Sequence, residues 1–187
     1  SSKAKSYLEF YVALVSTGAL TPRLFALGIG DRVFVSPRIS GIMTLEEVRY
    51  DQHLVLVATG TGIAPYMSMV RTYLDLHSSR RFAVIHGAYH SWDLGYRDEL
   101  MTLSRLCPTL TYLPTLSHPQ DEPVPWPGHV GFVQSAWTDG TIEREWGFHP
   151  TPSDTHVYLC GNPAMIDAMT EILGREGFTE HTRKSPG

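Results

Sequence analysis

Two short stretches have residue types and spacing suited to chemistry on an anionic ligand. The first is Ala58-Thr59-Gly60-Thr61-Gly62-Ile63-Ala64-Pro65, between an apolar run and a run with helical spacing. A loop in that position presents backbone N–H groups and the positive end of a helix to a phosphate. Gly60 and Gly62 carry no Cβ, so a ligand can come close to the backbone, and Pro65 suits a first helical turn. The second stretch is Tyr158-Leu159-Cys160-Gly161-Asn162-Pro163-Ala164-Met165, which again closes an apolar run and opens a helix. Ligands of open parallel sheets bind beyond the carboxyl ends of the strands. Cys160 is therefore expected at the edge of a site, as a candidate active-site thiol.

Several other chemistries are excluded. The first loop lacks the Lys and following Ser/Thr of an NTPase phosphate loop, and it lacks the third glycine of the usual dinucleotide fingerprint. No Gly-x-Ser-x-Gly nucleophile turn occurs. His86 and His90 have no third ligand at suitable spacing, so no metal site is expected. Asp93, Asp98 and Glu99 read as a helix start favoured by the helix dipole. Trp92, Trp126, Trp137 and Trp146 read as packing residues. Two cysteines, Cys107 and Cys160, cannot build a disulfide framework, a four-Cys metal site or a resident iron–sulfur centre. They read as reduced thiols, and a cytoplasmic protein is expected.

The elements that must position these residues change in style near residue 50. Residues 7–15 are β-branched and aromatic and read as a strand; Thr21-Pro22 then opens a short helix with Leu24, Phe25 and Leu27 on one face. Residues 32–36 read as another strand, stopped by Pro37, in the manner of a barrel or sandwich edge. From residue 54 the pattern becomes apolar strands alternating with helices. Strands are expected at 54–58, 82–86, 109–116 (broken by Pro114) and 156–160. Helices are expected from Pro65 to about His77, over about 94–106, and from Asn162 to about Glu176. Alternation of this kind means a parallel sheet with helices on both faces. The division is therefore residues 1–50, a β piece, and 51–187, an α/β domain.

The chain has 187 residues, 15 Lys and Arg against 19 Asp and Glu, and 42% apolar types, which describes a globular protein. The acidic balance argues against a nucleic-acid partner. No apolar run reaches the ~18 residues of a membrane span.

Together, Gly60-Thr61-Gly62-Ile63-Ala64-Pro65 and Cys160-Gly161-Asn162-Pro163-x-Met165 resemble the nucleotide-domain signatures of the ferredoxin–NADP reductase family. Leu8-Glu9-Phe10-Tyr11, Gly18-Ala19-Leu20-Thr21-Pro22-Arg23-Leu24 and His86-Gly87-Ala88 resemble its bacterial branch, which serves ferredoxin or flavodoxin. The resemblance implies an FAD-binding antiparallel β-barrel, here its C-terminal part, followed by an NAD(P)-binding α/β domain. It implies FAD beside Tyr11, Val12, Ala13 and Leu14, with its pyrophosphate at Ala19, Leu20 and Thr21. Gly60, Thr61 and Gly62, Ala88 and Tyr89, Ser117 and His118, His129, and Gly161, Asn162 and Pro163 fall at its cofactor-contacting positions, with Thr61 reaching FAD. Cys160 falls near the nicotinamide and the flavin ring. The cofactors implied are FAD and NADP, with NAD possible, and the partner is ferredoxin or flavodoxin.

The sequence departs from that pattern. The family's Arg-x-Tyr-Ser flavin motif belongs just before Ser1 and its aromatic tail just after Gly187, so a trimmed reductase with weak flavin retention is expected. Bacterial members place Arg where this chain has Tyr89, His118 and His129. Arg binds phosphate bidentately and a neutral imidazole does not. A weaker preference for NADPH over NADH than is usual in the family is therefore expected. Two alternatives remain: a redox-silent nucleotide-binding fragment, and the reductase component of an oxygenase.

Overall fold

The computed structural model describes residues 6–38, 41, 43–46, 48–75 and 78–181. Its centre is a five-stranded parallel sheet in the order β4-β3-β2-β1-β5. The strands are β1 (His53–Thr59), β2 (Phe82–Ala88), β3 (Leu110–Leu116), β4 (His129–Val130) and β5 (Thr155–Cys160). Helix α1 (Thr21–Phe25) precedes the sheet; α2 (Ile63–Tyr73), α3 (Arg97–Leu106), α4 (Val133–Thr138), α5 (Thr141–Trp146) and α6 (Pro163–Arg175) flank it.

The continuous apolar runs follow from this layering. Residues 54–58 of β1 and 82–86 of β2 are fully or almost fully out of solvent because both faces of a central parallel strand are covered. Leu54, Leu56, Phe82 and Val84 pack with Ile63, Tyr66, Met67 and Val70 of α2 and Leu100 of α3. Val55, Val57, Ala83 and Ile85 pack on the other face with Ala136, Trp137, Ile142, Met165 and Met169 of α4, α5 and α6. Trp137 and Trp146 are core residues, as their expected packing role requires, whereas Trp92 is exposed.

Several expectations need correction. Pro114 does not break β3, whose strand is continuous through it. Beta4 pairs only with Thr115 and Leu116, so β3 has an open edge at Pro114, where a missing N–H costs no ladder bond. Helix α2 ends at Tyr73, and the positions 76 and 77 expected to extend it lie outside the described residues. Helix α3 starts at Arg97, three positions late, because Tyr96 takes a left-handed conformation (φ 60°) that ends the preceding turn. The runs 7–15 and 32–36 are not paired as strands. A strand exists through its neighbours, and among the described residues these runs have none. Phe10, Leu14, Val33 and Phe34 accordingly stand exposed.

Candidate functional site

The sheet order places a topological switch point between β1 and β5. Beta1, β2 and β3 step one way across the sheet, and β5 lies on the other side of β1. Crevices at such points, outside the carboxyl ends of the strands, are where open α/β sheets bind ligands. Both motif loops leave from this point, one after Thr59 and the other after Cys160.

The two loops are built against each other. The Asn162 backbone N–H donates to Thr59 Oγ1 at 2.8 Å. A Cβ on Gly62 would fall against the Cys160 carbonyl, 2.6 Å from its carbon, so only glycine allows this approach. Gly161 has φ +144° and packs on the Thr59 backbone, 2.7 Å from the Thr59 carbonyl oxygen to a Cβ placed there. Gly60, Thr61 and Gly62 form one 3-10 turn running into α2, with Gly60 and Thr61 exposed. Asn162 caps α6, its side-chain oxygen accepting the Ala164 N–H at 2.8 Å, with Pro163 in the first turn. Two helix N-termini thus converge on one open crevice.

Thr59 links the two loops and was not singled out within the first motif. Its hydroxyl joins the loops, and a Thr closing a strand before glycine was the available signal. His86, weighed in the sequence only as part of His86-Gly87-Ala88 and beside His90, lies near the same loop. It is fully buried beside the Gly60 backbone, with Nδ1 3.2 Å from the Tyr112 hydroxyl. Burial pushes its imidazole down to about 4, so it is neutral at physiological pH. Burial also pushes the Cys160 thiol up. Cys160 is therefore a protonated group at the crevice edge rather than a ready nucleophile.

The remaining expected residues lie along the same strand ends. Ser117 N–H donates to the Ala88 carbonyl (3.1 Å) and His118 N–H to the Tyr89 carbonyl (3.1 Å), which extends the β2–β3 ladder past both strands. Tyr89 and His118 consequently meet edge to face, ring centres 4.9 Å apart. Ser117 Oγ is 2.9 Å from His118 Nδ1. His129 Nε2 is 3.0 Å from Ser135 Oγ, and that hydroxyl donates to the Phe132 carbonyl. The imidazole must therefore be the donor, and it is tied to α4.

The positions expected at a flavin are split. Tyr11 turns onto Tyr96, ring centres 5.5 Å apart. Glu9, two positions earlier on the same side, meets Arg71. Val12 is half-buried, and Ala13 and Leu14 are exposed. The Thr21 hydroxyl accepts the Val15 N–H and donates to the Val15 carbonyl, bringing Ala19, Leu20 and Thr21 beside the end of that run. Among the described residues no group of three His, Cys, Asp or Glu side chains could hold a metal ion, and no helix is long and apolar enough to cross a membrane.

The residues at the switch point fit a dinucleotide. Nothing lies within 4 Å of where a Cβ on Gly60 would sit, so the loop backbone is open to a ligand. Residues 56–171 match the family model described as the oxidoreductase NAD-binding domain. The chain belongs to the oxidoreductase NAD-binding domain family. Relatives of this NAD-binding oxidoreductase family extend the likeness beyond the matched region. The flavodoxin/ferredoxin–NADP reductase of Escherichia coli is 32% identical over 160 residues, covering 85% of this chain and 63% of that protein. Its counterpart in Buchnera aphidicola is 28% identical over 181 residues, covering 96% of this chain and 72% of that protein. The solved ferredoxin NADP+ reductase of Neisseria gonorrhoeae, with bound FAD and NADP, superposes with a TM-score of 0.79 at 22% identity, covering 93% of this chain and 69% of that one. The resemblance carried by the loop motifs is thus borne out over most of the chain, which spans roughly two thirds of these proteins' own lengths.

Proposed function

We propose that this chain binds a nicotinamide dinucleotide across the carboxyl ends of its sheet and belongs to an FAD-dependent reductase that passes electrons to a ferredoxin or flavodoxin. The observation that carries the reading is the union of the two motif loops at the β1–β5 switch point, through Thr59 Oγ1 and Asn162 N–H. Residues 1–50 are assigned to the flavin half and 51–187 to the nucleotide half. The relatives' names support FAD, NADP and a ferredoxin or flavodoxin partner.

The chain's own residues would do the following. The backbone of Gly60, Thr61 and Gly62 and the N-termini of α2 and α6 hold the pyrophosphate. Gly161, Asn162 and Pro163 fix the nicotinamide end. Cys160, kept protonated by its burial, borders the nicotinamide without taking its electrons. Tyr89 and His118 border the adenosine. FAD, when bound beside residues 11–14 and 19–21, supplies the acceptor for the nicotinamide hydride and the route to single-electron transfer.

One observation favours a narrower reading, in which this chain alone is a nucleotide-binding unit. Residues 7–15 and 32–36 are not assigned to any strand of a sheet among the described residues. Reconstitution separates the two. The chain is mixed with FAD, the bound flavin is measured, and NADPH or NADH is added anaerobically. Bleaching of bound flavin supports the reductase. Nucleotide binding with no retained flavin supports the narrower unit, and absence of both contradicts the proposal.

A further inference from the structure

His86 is a polar side chain in an apolar layer. It lies within β2, fully buried, and alternation puts it on the same face as Phe82 and Val84, under α2. Its register neighbours are Ala58 of β1 and Pro114 of β3, whose side chains offer an imidazole no hydrogen bond. An apolar residue would be cheaper to bury there unless both ring nitrogens are satisfied.

Two groups are placed to satisfy them. The Tyr112 hydroxyl is 3.2 Å from Nδ1. Burial raises that phenol above its ordinary value, so it keeps its proton and can donate it. Nε2 is buried and engages no side chain. The buried Tyr66 hydroxyl of α2 donates instead to the Val57 carbonyl, at 3.2 Å. The imidazole also meets the Gly60 backbone, which favours the protonated ring. A backbone group that does so is an acceptor, hence the Gly60 carbonyl.

That carbonyl already accepts the Ile63 N–H at the start of α2. A carbonyl oxygen has two lone pairs and can take a second donor. Gly60 has φ +53°, and both Gly60 and Thr61 are exposed, so the peptide plane between them needs an anchor. In a planar trans peptide the carbonyl and the following N–H point opposite ways. A Gly60 carbonyl held toward the sheet therefore turns the Thr61 N–H out to the crevice.

We infer that His86 positions the pyrophosphate-binding turn: Tyr112 donates to Nδ1, the ring proton is thereby kept on Nε2, and Nε2–H holds the Gly60 carbonyl. The inference rests on the nucleotide reading above and deepens it. His86 touches no ligand and acts through Gly60, as a positioning residue.

The test reads the ring and the affinity separately. In the full chain with isotope-labelled histidine, the ring-nitrogen NMR shifts of His86 at pH 7, assigned by their loss in His86→Gln, report which nitrogen carries the proton. The expected form is neutral, with the proton on Nε2. Calorimetry then gives the affinity for whichever of NAD+ and NADP+ binds more tightly. His86→Met fills the space without a donor and is expected to weaken binding about tenfold. His86→Gln, whose amide N–H can replace Nε2–H, is expected to recover most of that loss. Tyr112→Phe releases Nδ1 and is expected to weaken binding about threefold and to mix the two ring forms. If His86→Met does not fold, Tyr112→Phe and the ring shifts decide. A proton on Nδ1 in the natural chain overturns the inference and leaves the nucleotide reading standing. So does unchanged affinity in His86→Met or Tyr112→Phe, or a His86→Gln as weak as His86→Met. Failure of the natural chain to bind either nucleotide overturns the nucleotide reading and this inference together.

Discussion

Arg71 Nη1 lies 2.6 Å from Glu9 Oε1 and ties α2 to a segment 62 positions earlier in the chain. The same guanidinium binds both oxygens of Glu99 on α3, at 2.7 and 2.6 Å. Tyr96 adds its hydroxyl to Glu9 at 3.0 Å. One mostly buried cation therefore holds two carboxylates and fixes the Glu9–Tyr11 face against α2 and the start of α3.

Removing that cation leaves Glu9 and Glu99 facing each other. Arg71→Ala is expected to lower stability by about 2–3 kcal/mol, and Arg71→Lys by less, since an ammonium cannot engage Glu99 bidentately. Urea unfolding of the three proteins checks this. A change within about 0.5 kcal/mol for Arg71→Ala, the range of ordinary surface substitutions, would contradict the role given to Arg71.

Gly62 is expected to tolerate no side chain, because a Cβ there meets the Cys160 carbonyl and parts the two loops. Gly62→Ala should weaken nucleotide binding at least about tenfold, equivalent to ~1.4 kcal/mol. Gly174→Ala is the control. It lies in α6 with open space around its Cβ and should stabilise the chain by about 0.5–1 kcal/mol without touching binding. Calorimetric titration with a nicotinamide nucleotide, beside thermal melts, separates the two effects.

His86 makes the fold acid-sensitive. Its folded-state value, near 4, lies below the ordinary imidazole value of about 6.5. The unfolded chain therefore binds a proton first as pH falls. Stability is full above about pH 6.5 and is lost progressively toward pH 4, by about 2 kcal/mol between pH 7 and 5 from this residue. His53 and His156, also held down by burial, add in the same direction. His86→Gln should remove its share of the slope. Equal slopes for variant and natural protein in urea unfolding at pH 5 and 7 would contradict this assignment.

Cys160, with its thiol pushed up by burial, should react with iodoacetamide at neutral pH more slowly than a free cysteine. Cys160→Ser should keep nucleotide affinity within about threefold, since the proposed binding groups are the backbone N–H groups of the loops. Rapid alkylation, timed by mass spectrometry, would show instead an activated thiol.

The central sheet was legible because β1 and β2 are apolar on both faces, a pattern set by burial, whereas β5, expected as a buried strand, lies at the sheet edge and is only partly buried. The two loops were legible because glycine and proline mark strand-to-helix turns. Beta4 was not, since a two-residue strand has no periodicity, and α4 and α5 are too short to show a convincing face. The 7–15 and 32–36 runs have strand composition, but composition does not supply a neighbouring strand. The side-chain relations that were not legible share one cause. Thr59 with Asn162, His86 with Tyr112, and His90 with Asp121 are relations between separate strands or loops, visible only once the strands are in register.

The account rests most directly on where a nicotinamide nucleotide binds. Backbone amide shifts of the isotope-labelled chain, followed by NMR while NAD+ or NADP+ is added, measure this without flavin or partner. The account predicts saturable shifts concentrated at residues 59–62, 88–90, 117–121 and 161–164. Absence of saturable shifts with either nucleotide, or shifts confined to another face of the sheet, would contradict it.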